Sequence, residues 1–453
     1  MNKIQLSGTS ASRTVLLAAL FASTLAASSA ALAVDPVIFS FATVGDTRQD
    51  PTSPDATTLM GGIKGTLLPQ DAQWLQNSKA WARILRTVQS QKANLLLVNG
   101  DMIMGYGRAI VPAAWTTTAP NEAGVVGSDL VKFYTQYAYW RGMVANSLET
   151  GTYVLPVPGN HEVQCSYKVS TIPSTDANAC AGSTVNGGKN AYVENENAWR
   201  ANMSDLIGDL ATNVRFQSVV GTAAQNVSGL TTATAPTATT DSGIVSTDQS
   251  LLSYSFDIPT AIGLLHFAVI NTDPAGGDTH APTGWLSSDF SAAQARGAVK
   301  YFVFGHKPAF TYNYNATGTI AAAGLDAVTT PLVNNFPPRD AFWSLIAQYN
   351  ATYFCGHEHT YHIGQFMDPT ATSTNTPYQV LVGSGGSPFD AKGTVSATSP
   401  YIFTEPAMAA PTDRYYAWAM VRVHQSGAVT LDAYGFNDGF GPTQLIQSIS
   451  NLQ

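Results

Sequence analysis

Short apolar runs, each ending in glycine and a polar residue, recur along the chain. VIFSFATVGD and ANLLLVNGD end in Asp46 and Asp101, and their length and β-branched content predict buried strands. Between them, apolar residues at helical spacing from 71 to 91 predict an amphipathic helix. A strand, a helix and a strand in this order predict a βαβ unit with parallel strands.

Strands and helices continue to alternate along the chain. TYVLPVPGNHE follows a helix predicted from 128 to 148, for which Ser128 is the expected N-cap. LLHFAVINTD, YFVFGHKP and ATYFCGHEH are further predicted strands, separated by helices near Trp285 and Phe342. YQVLVGSGG, YAWAMVRV and AVTLDAYG follow without intervening helices, which favours an antiparallel end to the sheet. The pattern as a whole predicts an α/β fold.

The region from about 163 to 250 departs from this alternation. Thr, Ala, Asn, Ser and Gly dominate there, as in GLTTATAPTATTDSG, and apolar periodicity is poor. We interpret this region as a surface insertion around one helix near Trp199. Residues 34–453 are expected to form a single domain that carries this insertion.

The N-terminus has the features of an export signal. Lys3 and Arg13 precede the apolar stretch VLLAALFASTLAASSAALA, whose last residues fit a small-residue cleavage site. Residues 1–33 are therefore predicted to be a cleaved signal peptide, and the mature protein to be periplasmic or secreted. The alternative is a retained membrane anchor, for which the stretch is short and rich in Ala and Ser. No later segment has ~20 uninterrupted apolar residues, so no membrane span is expected in the mature chain.

Charge and cysteine usage narrow the possible partners and chemistry. The net charge is −8 and only 11% of residues are charged, so a basic surface for nucleic acid is not expected. Cys165 and Cys180 flank a short loop and either pair in an oxidising compartment or remain free. Cys355 lies in an apolar strand and is expected to be buried and inert. The sequence does not define an oligomeric state.

Polar residues follow the predicted strands at corresponding places. They are Asp46, Asp101, Asn160 with His161, His306, and His357 with His359. Because ligand sites of α/β sheets lie at the carboxyl ends of strands, these side chains are expected to converge. Two Asp, one Asn and three His form a mixed oxygen and nitrogen set that suits Zn, Mn or Fe. Six ligands are too many for one tetrahedral metal with an open position, which favours two metals bridged by a carboxylate.

Each of these signals has a simpler explanation when taken alone. A Gly-Asp pair after a strand is most often a turn, and a lone His is usually a satisfied core or surface group. GHEH is more specific, because two histidines two residues apart on extended chain point the same way. The segment HEHTY from His357 to Tyr361 is not a zinc-protease HExxH motif, because it ends in Tyr and continues a strand.

The ordered motifs resemble the calcineurin-like metallophosphoesterase family, and within it the purple acid phosphatase branch. They read GDTR at Asp46, NGD at Asp101, GNHE at Asn160, VFGH at His306, and GHEH at His357 and His359. The resemblance implies a β-sandwich of mixed sheets flanked by helices, in αββα layers. It also implies two metal sites, one held by Asp46, Asp101 and His359 and the other by Asp101, Asn160, His306 and His357, with Asp101 as the bridge.

Two positions depart from the pattern of the family. Many members have His two residues after the first Asp, where this chain has Arg48, whose guanidinium cannot coordinate a metal. Arg48 is expected either to contact a substrate phosphate oxygen or to form a salt bridge elsewhere. Purple acid phosphatases have Tyr three residues after the bridging Asp, where this chain has Met104. A tyrosinate–iron colour is therefore not expected unless Tyr106 substitutes.

The resemblance implies hydrolysis of small-molecule phosphate esters by a metal-activated water. Asp101, His161 and Arg48 are the predicted catalytic residues. His161 is expected to protonate the leaving alkoxide, and Glu162 is expected to orient His161. The leading hypothesis is an exported hydrolase of phosphate monoesters. One alternative is a phosphodiesterase acting on nucleotides or phospholipid head groups. Another is a metal- or phosphate-binding protein that has lost catalysis.

Overall fold

Ten stretches of the chain are described by the computed structural model. They are residues 35–48, 77–111, 115, 122–166, 189–207, 248–275, 280–310, 337–387, 415–437 and 439–453. The predicted signal peptide and Cys180 lie outside them. Among the described residues, no helix combines the length and the hydropathy that crossing a membrane requires.

Fourteen strands occur in the described residues. They are β1 Val37–Val44, β2 Leu95–Asn99, β3 Tyr153–Val157, β4 Gln164–Ser166, β5 Lys189–Ala191, β6 Tyr254–Thr260, β7 Gly263–Val269, β8 Ala298–Phe304, β9 Thr352–Cys355, β10 Tyr361–Gln365, β11 Tyr378–Val382, β12 Tyr415–His424, β13 Val429–Asn437 and β14 Gln444–Ile449. The helices in the same ranges are α1 Lys79–Ser90, α2 Glu122–Val126, α3 Asp129–Glu149, α4 Asn160–Val163, α5 Val193–Ile207, α6 Thr283–Arg296 and α7 Pro337–Gln348.

The strands form two mixed six-stranded sheets and one antiparallel two-stranded sheet of β4 and β5. The first sheet has the order β14-β13-β12-β1-β2-β3, and the second has the order β10-β11-β9-β8-β7-β6. β1, β2 and β3 run parallel, and β12 to β14 are added antiparallel beside β1. In the second sheet β7, β8, β9 and β11 are parallel, and β6 and β10 are antiparallel edges. The predicted β1-α1-β2 unit is confirmed. The antiparallel end predicted for the last strands is confirmed for β12 and β13, whereas β11 lies in the second sheet and runs parallel to β9.

Aromatic side chains fill the space between the two sheets. Phe41 of β1 contacts Phe267 of β7 and Phe304 of β8 edge to face, at ring-centroid distances of 5.4 and 5.7 Å. Residues of α1, α3 and α5 join this core from the outer side of the first sheet. Trp285 of α6 and Trp343 of α7 belong to a second core on the outer side of the second sheet. The layers are therefore αββα, as the resemblance implied.

Helix α3 shows how local sequence sets these layers. The side chain of Ser128 accepts a hydrogen bond from the backbone N–H of Val131, as an N-cap does. Phe133, Tyr137 and Val144 lie on one face and are buried, so the helix packs on the sheet through an apolar stripe. The helix predicted from 128 to 148 is confirmed to within one residue at each end.

The region from about 163 to 250, which was interpreted as a surface insertion, contributes one helix to the core around the first sheet. Helix α5 is the helix predicted near Trp199, and it buries Trp199 and Met203 completely within the core of the first sheet. Cys165 of β4 is disulfide-bonded. Cys355 is buried and free, and burial raises the pKa of its thiol. The interpretation of Cys355 as a buried, inert thiol fits both observations.

A buried histidine links two strands to α6. His266 Nδ1 lies 2.7 Å from Asp257 Oδ1, and its Nε2 lies 3.0 Å from Asp289 Oδ2. Arg296 donates to the other oxygen of Asp257 at 2.7 Å. Burial acts to lower the pKa of His266, but the two carboxylates outweigh burial and raise it. His266 is therefore a charged structural group, because each ring nitrogen faces a carboxylate oxygen.

Replacing His266 with alanine is expected to lower the free energy of unfolding by about 3 kcal/mol, because two buried carboxylates then lose their shared cation. The folded-state pKa lies above the unfolded value of about 6.5, so this stabilisation is complete below that pH and is lost as the pH rises through the folded-state pKa. Denaturant unfolding at about pH 6 measures it. The control is His424→Ala in β12, which is expected to cost under about 1 kcal/mol. Equal losses in both variants would contradict the assignment.

Candidate metal centre

The predicted ligand residues lie in loops at the carboxyl ends of strands. Asp46 follows β1, Asp101 follows β2, Asn160 follows β3, His306 follows β8, and His357 and His359 follow β9. The first three come from one sheet and the histidines from the other, so the site lies where the two sheets meet. Asp46, Asp101 and His357 have left-handed φ values of 58°, 53° and 72°. Such conformations cost about 1–3 kcal/mol each and must be held by surrounding contacts.

His306 is the centre of a cluster of possible ligand atoms. Its Nδ1 donates to the carbonyl oxygen of Asn99 at 2.7 Å, which leaves the lone pair of the neutral ring on Nε2. Nε2 lies 2.9 Å from Asn160 Oδ1 and 3.1 Å from both Asp101 Oδ1 and His357 Nδ1. His357 Nδ1 is itself 2.8 Å from Asn160 Oδ1. One small volume is therefore bounded by two oxygens and two ring nitrogens.

A cation resolves the electrostatics of this cluster. Lone pairs that face one another repel unless a proton or a metal lies between them. The ligand atoms of Asp46, Asp101 and His306 all lie within 4.8 Å of one another, which a single ion can span. In the absence of metal, burial acts to lower the pKa of His306, but Asp101 and Asp46 outweigh burial and raise it to about 9. A proton and a metal therefore compete for the same lone pair.

The second arm of the site consists of Asp46 and His359. Asp46 is fully buried, and its Oδ2 accepts from the backbone N–H of His357 at 2.8 Å. Its Oδ1 has no hydrogen-bond partner among the described residues and lies 3.4 Å from His359 Nε2. Burial, assisted by Asp101, raises the pKa of Asp46. The site thus keeps a buried carboxylate oxygen directed at a histidine.

The geometry of the GHEH segment differs from the expectation. β9 ends at Cys355 and β10 begins at Tyr361, so the segment is a loop between strands. His357 has a left-handed backbone, and the argument that two residues on extended chain point the same way does not apply. His357 contacts Asn160, whereas His359 contacts Asp46. Both histidines still face the site, because the loop turns between them.

Arg48 forms a buried ion pair inside the site. Its Nη1 donates to Asp101 Oδ2 at 2.6 Å and lies 3.7 Å from Asp46 Oδ1. Its backbone N–H also donates to the carbonyl oxygen of Asp101 at 2.9 Å, and the residue is 6% exposed. Burial acts to raise the pKa of Asp101, but His161, His306 and Arg48 outweigh it and hold that pKa well below its usual range. Of the two roles expected for Arg48, the structure shows a salt bridge, and its partners are two predicted ligands.

Glu162 anchors the loop that carries Asp101, and sequence analysis did not identify this role. Its carboxylate accepts from the backbone N–H groups of Asp101, Met102, Ile103 and Gly159, at 2.7–3.0 Å. Burial, with the nearby charge of Asp101, raises the pKa of Glu162 to about 7. The expectation was that Glu162 orients a histidine. The hydrogen bonds instead connect the carboxylate of Glu162 to the backbone N–H groups of the loop.

Tyr106 contacts two predicted site residues. Its hydroxyl accepts from Asn160 Nδ2 at 2.6 Å, which directs the amide oxygen of Asn160 towards the histidines. Its ring lies against His161, with ring centroids 3.8 Å apart. His161 Nδ1 donates to the carbonyl oxygen of Met104, and its Nε2 lies 3.5 Å from Asp101 Oδ2. Tyr106 therefore positions both residues of the GNHE motif that face the site.

Two glycines are required by the close approach of these loops. A Cβ on Gly100 would lie 2.3 Å from His306 Nδ1, and Gly100 has a φ of 82°. A Cβ on Gly159 would lie 2.4 Å from Asp101 Oδ1. Gly100 thus permits the contact between the two sheets as well as its turn, and Gly159 permits the close approach of the loops that follow β3 and β2.

Several solved structures are similar to this chain, whereas no protein-family model and no curated protein matches it. A purple acid phosphatase from yellow lupin (Lupinus luteus) seeds is similar over 91% of this chain, with 8% identity and a TM-score of 0.46, and the chain spans 54% of its length. A dimetal phosphatase from Danio rerio is similar over 91% of this chain and 99% of its own, with 12% identity and a TM-score of 0.36. PhoD is similar over 92% of this chain and 73% of its own, with 10% identity and a TM-score of 0.39. At these scores, the function must be argued from the side chains of the site.

Glu162→Gln is expected to destabilise the protein by about 3 kcal/mol, because the amide NH₂ replaces an oxygen that accepts from buried backbone N–H groups. Denaturant unfolding measures the loss. Glu194→Gln is the matched control, since Glu194 is a partly exposed partner of Arg108, where a loss under about 1 kcal/mol is expected. A Glu162 variant as stable as the control would show that the backbone contacts do not anchor the loop.

Tyr106→Phe is expected to weaken metal binding by about tenfold, because loss of the hydroxyl frees the amide of Asn160 to rotate. The dissociation constant for Mn²⁺ or Zn²⁺, measured by calorimetry on metal-free protein, checks this. Tyr139→Phe removes a hydroxyl that is hydrogen-bonded to Ser78 and serves as the control, with unchanged affinity expected. Unchanged affinity in both variants would remove the positioning role of Tyr106.

Proposed function

We propose that this chain is a metal-dependent hydrolase of phosphate esters, acting on small-molecule phosphate monoesters. The observation that carries the proposal is the group of ligand atoms around His306 Nε2, within 3.1 Å of it and drawn from Asp101, Asn160 and His357. These donors match the oxygen and nitrogen preference of Zn, Mn or Fe. The loop that carries Asp101 is held in place by hydrogen bonds from its backbone N–H groups to the carboxylate of Glu162.

When bound at these residues, a divalent cation supplies an acidified water and neutralises charge on phosphoryl oxygens. The residues of the chain supply orientation and a proton. Because Nδ1 of His161 is held by the Met104 carbonyl, its proton-donating atom is Nε2, which lies beside Asp101 Oδ2. This carboxylate stabilises the protonated imidazole, and His161 delivers the proton from Nε2 to the leaving alkoxide.

Positive charge at the site is needed to attract a phosphate. The chain carries a net charge of −8, and two buried carboxylates, Asp46 and Asp101, lie in the site itself. Arg48 offsets one of them, and a bound metal offsets more than the other. A dianionic monoester is therefore attracted only by the metal-loaded site.

Two other functions remain in competition with this proposal. A phosphodiesterase requires the same metal ligands. The ligand residues do not determine whether the phosphate of the substrate carries one ester bond or two. A binding protein that has lost catalysis is favoured by Arg48, which fills space between two predicted ligands. Export to the periplasm or the medium is part of the proposal and is supported by the sequence of residues 1–33 alone.

Activity on p-nitrophenyl phosphate is expected to exceed activity on bis(p-nitrophenyl) phosphate. It is expected to disappear after chelation and to return with Mn²⁺, Zn²⁺ or Fe²⁺, because the metal-free site repels the substrate. Steady-state rates with each ester and metal provide the measurement. Faster cleavage of the diester would favour the phosphodiesterase, and bound metal without turnover of either ester would favour the binding protein.

His161→Ala is expected to lower kcat for an alkyl phosphate by about 100-fold or more, because a general acid contributes that much to departure of a poor leaving group. The loss for p-nitrophenyl phosphate should be smaller, since nitrophenolate departs without a proton. Comparing kcat for the two substrates isolates proton transfer from binding. His424→Ala is the control with unchanged kcat. Equal losses for both substrates would show that His161 is not the acid.

A further inference from the structure

The two halves of the candidate metal centre differ in the number of ligand atoms that they supply. On one side, His306 and three neighbouring side chains supply ligand atoms at close range. On the other side, Asp46 and His359 are paired at 3.4 Å, and the family positions that would add a further ligand hold Arg48 and Met104. The guanidinium of Arg48 cannot coordinate a metal. The second half therefore depends on Asp101 as its third ligand.

Asp101 has its second oxygen engaged by a cation that belongs to the chain. Oδ1 of Asp101 faces His306 at 3.1 Å, whereas Oδ2 accepts from Arg48 Nη1 at 2.6 Å. The same Nη1 lies 3.7 Å from Asp46 Oδ1, so it lies between the two carboxylates that a second metal would have to share. The backbone hydrogen bond from Arg48 to the Asp101 carbonyl fixes the base of the side chain. Arg48 is therefore held at this place by two separate contacts with one residue.

We infer that Arg48 takes the place of one of the two metals, and that the site binds a single divalent cation at Asp101, Asn160, His306 and His357. The inference rests on the proposed metal-dependent function, and it replaces the two metals expected from the sequence with one. Asp46 then acts as a counter-ion of Arg48 and, through its Oδ2, as a support for the His357 loop.

The sum of the charges at the site also favours a single metal. Two carboxylates and one guanidinium leave one negative charge, which one divalent cation converts to a single positive charge. A second divalent cation would lie within a few ångströms of both the first metal and the guanidinium, where repulsion between cations is strong at low effective dielectric. Arg48 is expected to remain protonated because a guanidinium does not lose its charge under ordinary conditions.

The test is a count of bound metal. Metal-free wild-type protein, Arg48→His and Arg48→Lys are titrated with Mn²⁺, and the stoichiometry is read by calorimetry and by elemental analysis after gel filtration. About one ion per chain is expected for wild type and for Arg48→Lys, which keeps the charge. About two are expected for Arg48→His, because histidine at this position supplies the missing ligand. Electron paramagnetic resonance provides an independent readout, with isolated Mn²⁺ in wild type and spin-coupled pairs in Arg48→His.

Arg83→His is the matched control, since Arg83 contacts the carbonyl oxygens of Phe440 and Gly441 and its replacement should leave one ion per chain. Two tightly bound ions in wild type would overturn the inference and leave the proposed hydrolase intact. One ion in a folded Arg48→His variant would overturn the claim that Arg48 excludes the second metal. Absence of bound metal in wild type and Arg48→His would overturn the metal-dependent function itself.

Discussion

The turn that follows β2 is the constraint on which the rest of the site depends. Gly100 and Asp101 both have positive φ, and the N–H groups of Asp101, Met102 and Ile103 consequently converge on one side of the chain. Successive N–H groups in such a turn form a cavity for an anion, and the carboxylate of Glu162 fills it. The buried donors are thereby satisfied, so a strained turn persists in the core and Asp101 projects into the site.

The geometry of the candidate site also depends on the packing of two sheets. His306 of the second sheet donates to the carbonyl of Asn99 at the end of β2, and the amide of Gly45 donates to the carbonyl of Val382 at 2.7 Å. These bonds cross the same interface that Phe41 fills with aromatic contacts. A shift of one sheet by an ångström would separate ligands that now lie 3 Å apart. Core packing is therefore linked to the metal site directly.

Much of this arrangement was predictable from sequence because its causes are local. Apolar runs ending in glycine and a polar residue predict buried strands whose carboxyl ends share an edge, and Asp46, Asp101 and Asn160 converge for that reason, because β1, β2 and β3 are parallel neighbours. The approach of His306 to Asp101 depends in addition on the packing of the two sheets. Strands β4, β5, β6, β10 and β14 were not predicted; among them, β14 is mostly exposed or half-buried. The left-handed backbone of His357 and the partners of Arg48 and Glu162 could not be predicted. Those features depend on contacts between residues far apart in sequence, which no local pattern records.

A fixed guanidinium and an exchangeable metal are not equivalent cations. A metal can acidify water and exchange ligands, whereas Arg48 can only supply charge and hydrogen-bond donors. In a site with one of each, activation of water would fall to the residues around His306, and proton delivery would fall to His161 beside Asp101. The Arg48 side then holds Asp101 ionised whether or not metal is present, since a charged hydrogen-bond donor favours the carboxylate form. Such a site keeps one of its two positive centres when metal is scarce, but it cannot carry out the part of the reaction that requires an activated water.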